Sequence, residues 1–252
     1  MQGGASSAAE TAVTVSIVSH GHGPLVSLLL ADLARHCGRE IRIILTLNIP
    51  EFQLPGDGVY PFQITLIHNR TPQGFGTNHN AAFRHCANSY FCILNPDVRI
   101  GENPFPQLAA ELHNPKVGVV APRIVNPDGG TEDSARRFPT PWFILRKLFG
   151  LAGGLDYPIG ETALSADWVA GMFMLFRRDI YAELAGFDER YFLYYEDVDL
   201  CWRIRERGFD VRLVPSASAI HDARRESRRS LRHMCWHLAS MLRFFRKSAF
   251  RC

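Results

Sequence analysis

Short runs rich in β-branched and other apolar residues recur along the first hundred positions. Val13–Val18 (VTVSIV) is followed by a glycine-rich turn at Gly21–Gly23 and then by Pro24–His36, whose apolar positions fall at helical spacing. A proline just inside the start suits a helix N-terminus. Ile41–Leu47 (IRIILTL), Phe62–Ile67 (FQITLI) and Tyr90–Leu94 (YFCIL) repeat the strand signal, with a helix-like segment from Asn78 to Cys86 between the last two. Strands alternating with helices predict an α/β fold with a doubly wound, mostly parallel sheet and flanking helices.

Between Pro122 and Ala166 the periodicity fades and Pro, Gly and aromatic residues accumulate, which predicts loops with a hairpin and a short helix around Trp142–Leu148. Order returns at Trp168–Phe176 (WVAGMFMLF), read as one buried strand whose internal Gly171 marks either a close approach or plain packing. Phe187–Gly208 contains a helix that starts near Glu196, buries Val198, Cys201 and Trp202, and ends at Gly208. A further strand-like run, VRLVPSASAI, leads directly to His221.

In a doubly wound sheet ligands bind beyond the carboxyl ends of the strands. Ser19–His22, Asn48, Asn69 and Asn95–Asp97 stand at those positions, so four strands deliver polar groups to one rim. Each one alone reads equally well as a turn former.

Charge changes the picture at the C-terminus. From Asp222 to Cys252 nine Arg or Lys face two acids, whereas the preceding residues carry 19 basic and 23 acidic side chains. Within Arg228–Arg251 the apolar Leu231, Met234, Cys235, Leu238, Met241, Leu242 and Phe245 recur at helical spacing, with Arg232, Arg243, Arg246 and Lys247 mainly elsewhere. A basic amphipathic helix of this kind predicts contact with an anionic membrane surface; a helix packed on the domain with a solvated basic side is the alternative. The six cysteines show no zinc-module spacing and suit a reducing compartment. Residues 1–12 lack a basic start and an apolar core, so they read as a disordered lead-in rather than a signal peptide, and no run reaches the length of a membrane span. The expected location is cytoplasmic, peripheral on the inner face of the cytoplasmic membrane.

Three stretches carry candidate chemistry. Glu196, Asp197 and Asp199 crowd a helix start directly after a run of aromatics. Acids there also suit the helix dipole, but a carboxylate at an apolar rim with a like-charged neighbour has a raised proton affinity, as a general base requires. Asp197 is the candidate base. Asn95-Pro96-Asp97 follows a strand, and a carboxylate in such a turn can hold Mg²⁺ or Mn²⁺ together with phosphate oxygens. His221 can reach the same cleft, and imidazole suits Mn²⁺ better than Mg²⁺.

With those residues in place, the chain resembles the family 2 inverting glycosyltransferases of GT-A fold, in their rhamnosyltransferase-like branch, from about Val13 to Phe245. The most specific part is WVAGMFMLFRRDIYAELAGFDERYFLYYEDVDLCWRIRERGFDVRLVPSASAIH. The resemblance implies a catalytic domain over 13–221, with a nucleotide-sugar half at about 13–100 and an acceptor half at about 101–221, followed by the basic helix in 222–252. It implies catalytic roles for Asp197 and Glu196, and metal ligation by Asp97 and His221. Ser19, His20, Asn48, Asn69, Gly74, Asn80, Asn95 and Asp97 fall on the donor side, with Phe75 beside Gly74. Trp168, Gly171 and Asp199 fall on the acceptor side. Two positions depart from the family pattern: Leu47 precedes Asn48 where relatives carry an aspartate that contacts the nucleobase, and Ser19-His20-Gly21-His22 replaces the usual run after the first strand.

The activity implied is transfer of a sugar, first choice rhamnose from dTDP-rhamnose, from a nucleotide diphosphate donor to a glycan or polyprenyl-linked acceptor in bacterial cell-surface polysaccharide synthesis. Two alternatives differ in class: a catalytically silent module that only docks a sugar nucleotide, and a nucleic-acid binder using the Arg-rich tail. No nucleic acid is expected as a partner, because positive charge is confined to that tail and no reading motif is present.

Overall fold

A computed structural model of the chain describes residues 12–51, 60–149, 154–221 and 231–249. The expected lead-in therefore lies outside the described residues, apart from Ala12. The first half runs β1 (Val13–Ser19), α1 (Gly23–His36), β2 (Ile41–Leu47), β3 (Gln63–His68), α2 (Phe75–Phe83), β4 (Tyr90–Leu94) and β5 (Val98–Arg99). Then come α3 (Phe105–Leu112), β6 (Val117–Val125), β7 (Ala135–Arg136), α4 (Pro141–Leu148), β8 (Leu164–Ala166) and β9 (Trp168–Val169). The chain continues through β10 (Phe173–Arg177), α5 (Arg178–Glu183), α6 (Glu196–Glu206), β11 (Asp210–His221) and α7 (Leu231–Ala249).

The main sheet has the order β3-β2-β1-β4-β10-β6-β11-β5, with β8 alongside β11. Strands β3, β2, β1 and β4 are parallel, β10 runs antiparallel between β4 and β6, and β6 and β11 are again parallel. The result is a mixed, mostly parallel central sheet, and the β4–β10 pairing makes both halves of the chain one sheet.

Alternation along the strands sends side chains to two cores. Val13, Val15, Ile17, Cys92 and Leu94 pack toward α1 and α3 on one face. Ile44, Phe91, Ile93 and Phe176 pack toward Tyr181, Leu200 and Ile204 on the other. Helix α1 supplies Val26, Leu29, Leu30 and Leu33, spaced to form one apolar stripe, and ends with Arg35 and His36, which suit the dipole.

Three predicted elements shift, each for a long-range reason. Helix α2 begins three residues earlier than its pattern suggested, because the Phe75 amide donates to the Phe192 carbonyl at 2.9 Å across the fold. The run Trp168–Phe176 is two strands, β9 and β10, broken at Ala170–Met172. Strand β6 continues through Pro122 to Val125, where loop was expected. Its β10 neighbour pairs only with Val119 and Val120, so Pro122 sits where one side of the strand is an edge and its missing N–H is tolerated. The short helix appears as α4, and His221 is the last residue of β11 rather than the residue after it.

Candidate active site

At the carboxyl ends of β1, β2 and β3 the predicted rim forms. Ser19 donates from Oγ to Glu51 Oε2 at 2.8 Å, and the Gly21 amide donates to Glu51 Oε1 at 2.7 Å. Glu51 thus places a carboxylate beside the turn after β1, near the position where Leu47 left none. Asn48 is buried, and its amide group contacts the His20 ring at 3.1 Å and donates to the Gln73 carbonyl at 3.0 Å. Asn69 donates to Asn48 Oδ1 at 2.8 Å and to Asn78 Oδ1 at 2.6 Å. These amides knit the strand ends to the 70–74 loop.

Two donor-side candidates are committed to packing. A Cβ on Gly74 would stand 2.8 Å from the Phe192 carbonyl oxygen, so glycine is required there by backbone approach. Asn80 donates to the Phe187 carbonyl at 2.9 Å and accepts from the Phe187 amide and from Tyr181 Oη, which fixes the turn before the acidic helix. Neither geometry presents a free polar group to a donor.

The acidic rim is built around the break between β9 and β10. The Asn95 amide donates to the Met172 carbonyl at 2.9 Å, and the Gly171 amide donates to Asp197 Oδ2 at 3.0 Å. One three-residue turn therefore has the Asn95-Pro96-Asp97 loop on one side and the start of α6 on the other. Asp197 also accepts from the Val198 amide at 2.8 Å. Burial raises its proton affinity, opposed by those two amides and by the nearby charge of Arg136. Glu196 is buried, its Oε2 has no partner, and burial followed by the Asp197 charge raises its pKa well above the ordinary carboxylate value.

Across the turn, Asp97 Oδ2 lies 3.4 Å from His221 Nε2, because the antiparallel pairing of β11 with β5 sets His221 opposite Val98. Glu132 Oε2 holds the other ring nitrogen at 2.9 Å. Burial works against the imidazolium, but hydrogen bonds to Asp97 and Glu132 outweigh it and lift the His221 pKa to about 9. Asp97 Oδ1 is buried without a partner. The orphaned carboxylate oxygen fits a divalent cation, whereas the His221 ring, with both nitrogens facing carboxylates, would ligate one only after losing a proton. Among the described residues no group of three or more His, Cys, Asp or Glu could hold a metal unaided, so such an ion would draw remaining ligands from phosphate oxygens.

The acceptor-side candidates divide. Trp168 lies under the Arg136 guanidinium, 5.3 Å from its centroid, and its indole N–H donates to the Arg137 carbonyl at 2.9 Å. Gly171 contributes its amide to Asp197. Asp199 is 1% exposed and held by Arg203 and by Lys247 of α7, so it belongs to an internal ion-pair network away from the cleft wall. Glu51, Glu132 and Arg136 were not singled out in the sequence, since each lies in a loop or short strand and Ser19, His221 and Trp168, which they meet, are far along the chain.

A mixed, mostly parallel sheet with flanking helices and acidic loops at its carboxyl edge is a GT-A-like fold, and solved structures agree. GalNAc-T7 with UDP, GalNAc and Mn2+ superposes with a TM-score of 0.65 at 15% identity, over 84% of this chain and 44% of that one. The mannosyltransferase PcManGT from Pyrobaculum calidifontis in complex with GDP-Man and Mn2+ gives 0.60 at 18% identity, over 92% of this chain and 64% of that one. The chain thus spans less than two thirds of either solved structure.

The model of the glycosyltransferase like family 2 matches residues 57–239, and the chain belongs to that family. Similar proteins include N-acetylglucosaminyl-diphospho-decaprenol L-rhamnosyltransferase of Mycobacterium tuberculosis, 28% identical over 82% of this chain and 75% of the relative. Rhamnosyltransferase WbbL of Escherichia coli is 28% identical over 92% of each.

Proposed function

We infer that this glycosyltransferase transfers a sugar with inversion from a nucleotide diphosphate to a hydroxyl of a glycan or polyprenyl-linked acceptor in bacterial cell-surface polysaccharide synthesis. The observation that carries the reading is the single turn at Ala170–Met172, which has Asp97 on one side and Asp197 on the other. Asp197 is the base: its raised proton affinity suits removal of the acceptor proton as the hydroxyl attacks the anomeric carbon. Glu196, kept protonated by burial, leaves Asp197 as the charged member of the pair. Asp97 would hold Mg²⁺ or Mn²⁺, joined by His221 once its ring has given up a proton, and the ion would offset charge on the diphosphate. Glu132 fixes the His221 ring. Ser19, His20, Asn48, Asn69 and Asn95 line the donor side, and Trp168 the acceptor side. Rhamnose on thymidine diphosphate is the first-choice donor, supported by the two rhamnosyltransferase relatives.

The reading places the enzyme at the inner face of the cytoplasmic membrane, supported by the basic C-terminal helix and by a relative whose name carries a decaprenol-linked substrate. No described helix is long and apolar enough to cross a membrane.

A thermal-stability screen of nucleotide sugars with and without Mn²⁺ tests the function. A donor at ~100 times its Kd stabilises the native state by ~2.7 kcal/mol. The expected result is a metal-dependent rise with one sugar nucleotide; no rise with any of them defeats the reading.

A further inference from the structure

Five consecutive residues before the Glu196-Asp197 pair all touch α7. Arg243 lies over the Tyr191 ring at 5.7 Å, and the Phe192 and Trp236 rings meet at a tilt of 36° with centroids 4.7 Å apart. Ser240 donates from Oγ to the Leu193 carbonyl at 3.0 Å. Tyr194 Oη is 2.9 Å from His233 Nδ1, and Tyr195 packs on His237 and on the buried Phe244. Lys247 closes the contact on Asp188 and Asp199.

The segment so gripped is strained. Tyr194 and Tyr195 have φ of 71° and 67°, the left-handed region that bulky residues seldom occupy and that persists only when surroundings impose it. Tyr195 is also the residue that caps α6, so its conformation sets where Glu196 and Asp197 begin. The inner face of α7 packs directly on these two residues, yet only Ser240 and Phe244 of that helix are buried.

The outer face is unlike an ordinary solvated surface. At about 100° per residue, Leu231, Leu238 and Leu242 lie opposite Ser240. They are 75%, 47% and 58% exposed, with Met234 at 53% beside them. Exposed Arg232 and Arg246 border that stripe, and α7 contains no acidic residue. Large apolar side chains bordered by cations match the interface of an anionic bilayer, where the apolar stripe enters the acyl boundary and the guanidinium groups meet headgroup phosphates.

We propose that α7 is a positioning element for the catalytic turn and that contact of its Leu231–Leu242 stripe with an anionic lipid surface strengthens its grip on Tyr191–Tyr195. The helix is thinly docked from one side, so covering its other side favours the docked, helical state and with it the conformation that aims Asp197 at Gly171. Asp197 acts on substrate; Ser240 and Lys247 act through the turn. The proposal deepens the reading of Asp197 as base and rests on it.

The test uses the full chain with phosphatidylcholine vesicles, with and without phosphatidylglycerol, and follows hydrogen exchange of the amides at 192–198. The expected result is recovery with the anionic vesicles only, exchange at 192–198 slowed about tenfold on binding, and kcat raised severalfold with the donor found by the thermal screen. A Leu238→Gln/Leu242→Gln variant should lose vesicle recovery and any vesicle-induced slowing. A Ser240→Ala/Lys247→Met variant should still bind vesicles but exchange fast at 192–198, with kcat down about tenfold and donor KM unchanged. Wild-type binding without slower exchange overturns the proposal, as do equal recovery with neutral vesicles and wild-type exchange and kcat in the Ser240→Ala/Lys247→Met variant. The exchange readout needs no donor, so absence of any transfer activity defeats the functional reading while this measurement still decides whether lipid contact tightens the turn.

Discussion

Asp197 accepts the Gly171 amide at 3.0 Å, so its carboxylate is fixed to the turn between β9 and β10 as well as to its own helix. That bond accounts both for the break in the apolar run around Gly171 and for the aim of the base. Asp197→Asn keeps a side-chain oxygen for the Gly171 amide but removes the basic group. Transfer should fall by ~10² to 10⁴ with donor affinity unchanged. Steady-state rates together with calorimetric donor titration check this, and wild-type turnover would reassign the base.

Asp97 behaves differently in the proposed mechanism, because its Oδ2 meets the His221 ring while its buried Oδ1 has no partner. Asp97→Ala should weaken Mn²⁺ and donor binding together, since each then lacks a shared charge partner. Titration of donor with and without Mn²⁺ reads both, and unchanged affinity in the presence of Mn²⁺ would exclude the metal role.

Gly74 makes a prediction about packing rather than chemistry. An added Cβ would meet the Phe192 carbonyl at 2.8 Å and its Cα at 3.0 Å, which are backbone atoms that cannot swing aside. Gly74→Ala should cost ~1 to 3 kcal/mol of stability and lower kcat by moving the segment ahead of Asp197. Thermal melting and kinetics check both parts; a variant as stable as the wild type would show that the Phe192 backbone yields freely.

Much of the frame was legible from pattern alone. Strands β2 and β4 match the predicted runs end to end, and β1 extends by one residue, because buried parallel strands are nearly continuous apolar sequences. The pairs Asn95/Asp97 and Glu196/Asp197 stood out in the sequence because they sit at element ends with chemistry in excess of what a turn or cap needs. What pattern could not show was long-range commitment. Asn48, Asn80 and Asp199 look as available in the sequence as Asp197, yet Asn48 is spent on Asn69 and Gln73, Asn80 on Phe187, Tyr181 and Glu189, and Asp199 on Arg203 and Lys247. Glu132 stands 89 residues from His221, and nothing local announces that pairing. The basic helix likewise showed its composition but not that Leu231, Met234, Leu238 and Leu242 face outward while Ser240 and Phe244 face in, with Met241 and Phe245 packed beside them.

Asp188 gives the fold a defined response to acid. Burial alone would raise its pKa, but hydrogen bonds from Arg190 and Lys247 outweigh burial and hold the carboxyl far below the usual range. A carboxylate depressed in the folded state adds stability that is fully present above its unfolded pKa, about 3.9, and is lost as pH falls toward the folded value. The wild type should therefore exceed Asp188→Asn in stability by a constant margin above about pH 5, and that margin should shrink progressively below about pH 4. Because Lys247 is one of the partners, fluorescence of Trp236 should report the loosening of α7 in the same pH window. Denaturant melts of both proteins across pH 2 to 7 (roughly the span over which a carboxylate of this kind titrates) measure the margin. A difference that stays level to the acid end would show that the folded and unfolded chains bind the Asp188 proton equally, and the stabilising ion pair with Lys247 would have to be given up.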